Sequence, residues 1–397
     1  MGGKEVMQNF LERAREINEE TLAHRRELHQ HPETGMNLPE TADRVEGWLK
    51  EIGLEPKRYT PFGVTALIEG KKPGKTILLR ADMDALPMKE DNSLPFQSTT
   101  DKAAHCCGHD MHTAMLLSAA KMLNENKDEL CGRVLLVFQP GEESFQGSKA
   151  MIDQGLLEDY KPDAALAMHV MLDGPAGGIC YGEGGISSSC DGFKITIKGK
   201  GSHGAMPQLG VDPINVGMHI YQAFQELISR EVPPLAPAVL TFGEFSAGNT
   251  PNIIPEQAVL QGTLRTYDRE LREKLCRRMK EIVEFTTRAF GAEAEYEALS
   301  NVPTAFNDPG MLSAMLSYID ALGYDFYKIP NYKITPSDDF GFISEKVPSV
   351  YFMLCAKTAG NNFPHHNSKV IFSEEALPFG AAIHAQCAFN WLRDHAE

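Results

Sequence analysis

Acidic and histidine side chains follow three apolar segments of the sequence, at the point where each segment ends. Glu142 and Glu143 come after the apolar run 134–138, Asp84 follows an earlier run, and His169 ends a later one. Carboxylates and imidazoles can bind metals and transfer protons. Because adjacent side chains point to different sides of a chain, one acid could bind a metal while the other faces a water. Isolated acids at strand ends are usually solvated, so the recurrence of this pattern is what indicates a site.

Cys107 and His109 flank Gly108 at the predicted start of a helix. We expect the helix dipole to depress the pKa of the Cys107 thiol. Thiolate and imidazole are both good ligands for a borderline metal. A nucleophilic Cys–His pair is the alternative, but it leaves the strand-end acids unexplained.

A metal site can be assembled from these residues and the C-terminal pair His365-His366, either of which could bind on spacing alone. The candidate ligands are Cys107, His109, Glu143, His169 and His366. Five ligands exceed the need of one tetrahedral site, which indicates two metals that share a bridging group. Asp84 is expected to orient a ligand histidine, with a cap of a helix or turn as the alternative. Glu142 is then free to act as general base towards a metal-bound water and to return the proton to the leaving group.

The elements that must position these residues alternate between strand and helix, which predicts a mainly parallel sheet covered on both faces. Sites in such sheets form beyond the carboxyl ends of the strands. The predicted strands are 64–68, 76–79, 134–138, 163–168 and 349–354, and the predicted helices are 4–30, 38–52, 109–125, 309–322 and a last one from 374.

Near residue 187 the sequence pattern changes to alternating polar and apolar residues, which is typical of strands with one solvent-exposed face. Strands at 193–199, 238–245, 258–266 and 292–299 with helices at 213–230 and 269–290 are predicted there. This order indicates an α+β ferredoxin-like unit. We therefore predict an inserted lid domain over 187–300 and a catalytic domain over 1–186 and 301–397.

Composition restricts the partners and the compartment. The chain has 397 residues and a net charge of −16, which argues against nucleic acid or an anionic membrane as the main partner. The sequence has no apolar run of membrane-spanning length and no signal-peptide core. Its eight cysteines are scattered rather than arranged as a disulfide framework, so we expect a reducing cytoplasm.

The sequence resembles the M20 family of metallopeptidases, specifically its amidohydrolase branch, over nearly its whole length. The segments that carry the resemblance are 24–33 (HRRELHQHPE), 80–87 (RADMDALP), 105–112 (HCCGHDMH), 139–143 (QPGEE), 168–169 (MH), 201–207 (GSHGAMP), 252–255 (NIIP), 339–340 (DF) and 365–367 (HHN). The chain departs from the family pattern at Met111 and Cys355, among other positions, and these two could alter the acyl pocket.

The resemblance implies a three-layer α/β/α zinc-peptidase-like catalytic domain and a lid domain that often mediates dimers. The five ligands named above map onto the family's metal ligands, with Cys107 as the bridging one, and Glu142 maps onto the general base. His203 maps onto an oxyanion and substrate contact, within one subunit or across a dimer. Asn252 and Arg265 map onto positions that hold the free carboxylate of the substrate. Two divalent ions per subunit are implied, manganese or zinc, with cobalt or nickel able to substitute.

The resulting hypothesis is hydrolysis of the amide bond of N-acyl-L-amino acids, such as hippurate-, N-acetyl- or indoleacetyl-amino acids, in a homodimer or higher homo-oligomer. One alternative is a dipeptidase or carboxypeptidase of the same family. Another is a metal- or peptide-binding protein without turnover, and a third is a cysteine hydrolase that uses Cys107. The presence of Glu142 argues against a binding protein without turnover. Chelators would not inhibit a cysteine hydrolase, so they distinguish it from a metal-dependent enzyme.

Overall fold

The computed structural model describes residues 9–396, whose contacts separate them into two compact units. Unit 1 comprises the chain up to Ile186 together with 306–333 and 342–396, and unit 2 comprises 187–305 and 334–341. The sequence had assigned 301–305 and 334–341 to the discontinuous domain. These residues group with unit 2 instead, where the Tyr267 hydroxyl donates to the carbonyl of Ile334 at 3.0 Å. Catalytic and lid roles for the two units remain predictions.

The core of unit 1 is an eight-stranded sheet in the order β1-β2-β4-β3-β5-β16-β6-β15. Its strands are β1 (Lys57–Tyr59), β2 (Gly63–Glu69), β3 (Lys72–Asp82), β4 (Cys131–Gln139), β5 (Ala164–Met171), β6 (Ile179–Cys180), β15 (Lys328–Ile329) and β16 (Ser349–Cys355). The four central strands β4, β3, β5 and β16 are mutually parallel, while β1, β2 and β6 pair antiparallel with their neighbours towards the centre. The predicted mainly parallel sheet is confirmed. A further pair, β7 (Gly184–Gly185) with β14 (Phe306–Asn307), lies outside it.

Helices surround this sheet. They are α1 (Phe10–Glu16), α2 (Asn18–Gln30), α3 (Pro39–Glu51), α4 (His109–Glu125), α5 (Gly147–Asp153), α6 (Leu156–Tyr160), α9 (Pro309–Asp320), α10 (Gly341–Ser344, whose first residue belongs to unit 2) and α11 (Leu377–Asp394). The prediction of one helix over 4–30 is wrong, because the helical residues break at Ile17; positions 4–8 lie outside the described residues. Ile17 adopts φ −93° and ψ 8°, and its side chain packs into the core.

Continuous apolar sequence explains why the central strands lie inside unit 1. In β4, Val134, Leu135, Leu136 and Phe138 are all fully buried although alternate residues point to opposite faces. Helices α4 and α11 pack on each other and on β3. The central strands are therefore covered by packed residues, and the candidate site residues begin where these strands end.

Unit 2 has the predicted α+β arrangement. Its antiparallel sheet runs β10-β12-β8-β13, and α7 and α8 pack against it and on each other. The elements are β8 (Asp191–Lys198), β9 (Ser202–His203), α7 (Pro213–Glu231), β10 (Ala238–Ala247), β11 (Ile253–Ile254), β12 (Gln257–Thr266), α8 (Arg269–Ala289) and β13 (Glu293–Ala298). Alternate residues Phe193, Ile195 and Ile197 of β8 are fully buried, which agrees with the period-two pattern of the sequence.

No helix between residues 9 and 396 combines the length and the apolar character needed to cross a membrane. All eight cysteines are free thiols, and seven of them are buried.

Candidate active site

The parallel register of unit 1 brings the strand-end residues together. Strands β4, β3 and β5 are neighbours and run in the same direction. Asp84 lies just past β3, Glu142 and Glu143 lie just past β4, and His169 lies near the end of β5. Residues far apart in sequence therefore meet at one edge of the sheet, as expected for this kind of fold.

The five predicted ligands form two groups of three whose donor atoms lie within 4.8 Å of one another. The groups are Cys107–His109–His169 and Cys107–Glu143–His366. The Cys107 Sγ is 3.4 Å from His169 Nε2, and His366 Nε2 is 3.4 Å from Glu143 Oε1. Cys107 is common to both groups, which is the position that a bridging ligand requires.

Asp84 is fixed among these residues by its own hydrogen bonds. Its two carboxylate oxygens accept the backbone N–H groups of Glu142 and Glu143 at 3.0 and 3.2 Å. Its backbone carbonyl accepts from His109 Nδ1 at 2.8 Å, and its Oδ1 lies 3.5 Å from the same nitrogen. Asp84 thus orients His109 and also holds the two acids in place. Burial raises the pKa of this carboxyl.

The environment of His109 fits a bound cation. Nδ1 donates to the backbone carbonyl of Asp84, and Nε2 is buried and has no hydrogen-bond partner among the described residues. That nitrogen lies 3.8 to 4.0 Å from oxygens of Asp82, Glu142 and Glu143. Burial lowers the pKa of His109, but the nearby carboxylates of Asp82 and Asp84 raise it overall to about 10. Buried carboxylates around an unpaired imidazole nitrogen form a donor set that divalent ions satisfy.

The pKa expected for Cys107 is wrong in direction. Burial, followed by the carboxylates of Glu143 and Glu142, raises the pKa of this thiol well above its ordinary value. Helix α4 begins only at His109, and burial together with the carboxylates that follow β4 determines the direction of the shift. Cys107 is therefore a protonated thiol until a cation displaces its proton, which disfavours a metal-independent nucleophile.

The structure distinguishes between the two neighbouring histidines of the C-terminal loop. His366 faces Glu143, and its backbone N–H donates to the Cys106 carbonyl at 3.0 Å. Its φ of 61° lies in the left-handed region, which is uncommon for a residue other than glycine and typical of functional sites. His365 instead contacts the Val170 carbonyl through Nε2 at 2.9 Å. His366 is the one of the two whose ring nitrogen lies beside the donor atoms of Cys107 and Glu143, whereas the ring of His365 packs against that of His169 with centroids 5.6 Å apart.

Gly108 is required between Cys107 and His109. Its φ is +97°, and a Cβ built there would lie 2.3 Å from Cγ2 of Val170. A side chain at this position would displace β5 or the start of α4, and with them candidate ligands of the first group.

Sequence reasoning missed His112 as a site residue. His112 lies three residues after His109 and so on a neighbouring part of the same helix surface. It is buried, bonds to Asp82 through Nδ1, and accepts the Val170 N–H at Nε2. The three-residue spacing from His109 was the signal that the sequence offered, whereas the bonding partners of His112 are not visible in the sequence.

Met111 and Cys355, the two departures from the family pattern that could alter the acyl pocket, are both fully buried.

The candidate residues of unit 2 lie on β9, just before β11, and on β12. His203 and Asn252 are exposed, and the Asn252 carbonyl accepts the N–H of Gly204 at 2.8 Å. His203 Nδ1 accepts the N–H of Ala205 at 3.1 Å. Arg265 is half-buried, and its Nη1 has no hydrogen-bond partner among residues 9–396.

Comparison with known proteins adds to this geometry. Residues 78–390 match peptidase family M20/M25/M40. The chain is 34% identical to thermostable carboxypeptidase 1 of Saccharolobus solfataricus, over 95% of this chain and 96% of that protein. It is 36% identical to an N-acetylcysteine deacetylase of Bacillus subtilis, over 92% and 94% of the two chains. A solved dinuclear metal-binding M20 peptidase of Bacillus subtilis superposes with a TM-score of 0.82 at 32% identity, covering 96% of this chain and 99% of that one.

Proposed function

The chain belongs to peptidase family M20/M25/M40, and we propose that it is a metal-dependent amidohydrolase that cleaves N-acyl-L-amino acids. It is a hydrolase that acts on amide bonds. The observation that carries the proposal is the pair of ligand groups that share Cys107, with the carboxylate of Glu142 beside them.

Two divalent ions would be held by Cys107, His109, Glu143, His169 and His366, with Cys107 contacting both. Such ions supply Lewis acidity, which lowers the pKa of water and polarises an amide carbonyl. Thiolate and imidazole donors favour zinc, whereas the amidohydrolase branch that the sequence resembles favours manganese. Cobalt and nickel are further candidates.

Glu142 is proposed as the general base. Its side chain is buried, with Oε2 4.0 Å from His109 Nε2, and its backbone is held by Asp84. It would accept a proton from the attacking water and donate it to the departing amine. Asp84 would act by positioning Glu142, Glu143 and His109 rather than by touching the substrate.

Unit 2 is proposed to contribute substrate contacts. His203 would donate to the developing oxyanion, in its own subunit or across a dimer, and Arg265 with Asn252 would bind the substrate carboxylate. The unpaired Nη1 of Arg265 supports this role, since a guanidinium nitrogen withdrawn from water needs an acceptor. We further propose a cytoplasmic homodimer or larger homo-oligomer associated through unit 2.

A peptidase is the second candidate, because one relative is named a thermostable carboxypeptidase. The distinguishing experiment measures amine release from matched N-acetyl, N-benzoyl and N-indoleacetyl amino acids and from free dipeptides. Protein loaded with manganese or zinc is compared with a chelated control. Metal-dependent cleavage of acylated substrates alone is the expected result. Preference for dipeptides would support the peptidase, cleavage that survives chelation would support the cysteine hydrolase, and no turnover with metals bound would support a binding protein.

A further inference from the structure

We propose that His112 and His365 are positioning residues that orient the ring of His169 through the backbone of Val170. This inference rests on the proposed function, because it takes His169 to be a metal ligand. Neither His112 nor His365 is itself among the predicted ligands. Both reach the same residue from different parts of unit 1, namely helix α4 and the loop before α11.

The N–H side of Val170 is held by His112. The Val170 N–H donates to His112 Nε2 at 2.9 Å, so this nitrogen carries no proton. The proton of the neutral ring must then be on Nδ1, which donates to the Asp82 carboxylate. The other Asp82 oxygen accepts from Arg80 Nη1 at 2.6 Å, and all these side chains are buried. A buried chain of charge-assisted bonds therefore fixes both the position and the tautomer of His112.

The carbonyl side of Val170 is held by His365. Its oxygen accepts from His365 Nε2 at 2.9 Å and from His169 Nδ1 at 2.7 Å. With its proton on Nδ1, His169 presents the lone pair of Nε2 towards Cys107, whose Sγ is 3.4 Å away. Metal-binding histidines depend on such partners of the second nitrogen for orientation. Here that partner, the Val170 carbonyl, is shared with His365.

The side chain of Val170 completes this arrangement. It packs where a Cβ at Gly108 would lie, between the two ligands Cys107 and His109. A shift of Val170 would therefore disturb His169 directly and the Cys107–His109 segment by contact. If the rings of His112 and His365 only filled space, an apolar ring of similar shape would replace them without effect on metal binding.

The first test uses the metal-free wild-type protein and does not depend on the proposed function. Long-range ¹H–¹⁵N correlation of labelled histidines reports which ring nitrogen carries the proton. We expect Nδ1–H for His112 and His169 and Nε2–H for His365. The opposite tautomer at His112 or His365 would overturn the inference, whether or not the protein binds metal.

The second test measures Zn²⁺ affinity by competition with a chromogenic chelator. His365→Phe and His112→Phe should each weaken binding by about 10- to 100-fold. His365→Gln, which keeps a donor near Nε2, should remain within a few-fold of wild type. His24→Phe, at a buried histidine whose ring packs against Trp48, is the matched control. Urea unfolding of each metal-free variant identifies any that fold poorly. If a Phe variant does, the zinc affinity of His365→Gln and the tautomers of the wild-type protein decide whether the positioning role holds.

Unchanged zinc affinity in both Phe variants would overturn the positioning role, as would an equal loss in His365→Gln and His365→Phe. A wild-type protein that binds neither zinc nor manganese but shows the expected tautomers would instead contradict the proposed function. In that case the orientation of His169 by Val170 would stand as a structural feature.

Discussion

The candidate residues of unit 1 and those of unit 2 are held in different ways. In unit 1, His109, Glu142 and His169 are buried, and specific hydrogen bonds fix their orientation. In unit 2, His203 and Asn252 are exposed beside two-residue strands. Ligands that must converge on an ion need a preorganised setting. Most of those in unit 1 are also withdrawn from water, and His366 is the exposed exception. Groups that bind the substrate can remain accessible. The difference predicts that changes in unit 1 affect chemistry and metal affinity, whereas changes at Asn252 and Arg265 of unit 2 affect substrate affinity.

The largest effect is expected from Glu142→Gln. Loss of a general base costs about 10²- to 10⁴-fold in rate. Because Glu142 is not among the proposed ligands, the metal content should be unchanged. Steady-state kinetics with metal analysis of the same sample checks this. Activity within a few-fold of wild type, with metals bound, would remove Glu142 from the mechanism.

The next effect is expected from Asp84→Asn. The amide cannot accept both backbone N–H groups that the carboxylate now accepts, so Glu142 and Glu143 lose part of their support. Residues that orient ligands typically contribute 10- to 100-fold to metal affinity. Competition with a chelator measures this, and Asp43→Asn, at an exposed position of α3, is the control. Unchanged affinity would show that Asp84 serves only as a turn cap.

A smaller effect is expected from Arg265→Gln in unit 2. A hydrogen bond to a charged group contributes about 1.5 kcal/mol at the low end, so KM for N-acyl amino acids should rise about tenfold with little change in kcat. Substrates whose carboxylate is replaced by an amide should show no difference between the two proteins. An equal rise for both substrates would contradict carboxylate binding by Arg265.

The smallest effect is a change in acid stability. Burial lowers the pKa of His384 in α11 to about 3, whereas an unfolded histidine titrates near 6.5. Below about pH 6.5 the unfolded state binds the extra proton, so the free energy of unfolding falls with pH by at most about 1.4 kcal/mol per unit. His384→Gln should reduce this slope in urea titrations of the metal-free protein at pH 7, 6 and 5. His219→Gln, on the exposed surface of unit 2, is the control for histidine loss, and an unchanged slope in His384→Gln would contradict the prediction.

The sequence predicts most of unit 1 because strand ends and parallel pairing are local or regular properties. The placement of Glu142, Asp84 and His169 at one edge of the sheet follows from these two properties. The direction of the pKa shift of Cys107 does not, since it depends on burial in the folded protein and on carboxylates that follow another strand. The choice between His365 and His366 depends on a left-handed backbone at His366, which spacing does not reveal. The role of His112 depends on a bond to Val170, 58 residues away in the chain.

Pairing of β5 with β16 has a consequence for synthesis of the protein. It joins Ala165 to Ser349, about 180 residues later, with all of unit 2 encoded between them. At about 5 to 20 residues per second, a ribosome needs roughly 10 to 40 s to produce the partner of β5. During that time an apolar strand edge that already carries His169 has no neighbour on one side and is prone to aggregate. His366 emerges later still, so the nascent chain cannot bind metals with the full set of proposed ligands. Production of active enzyme should therefore respond to translation rate and chaperone supply.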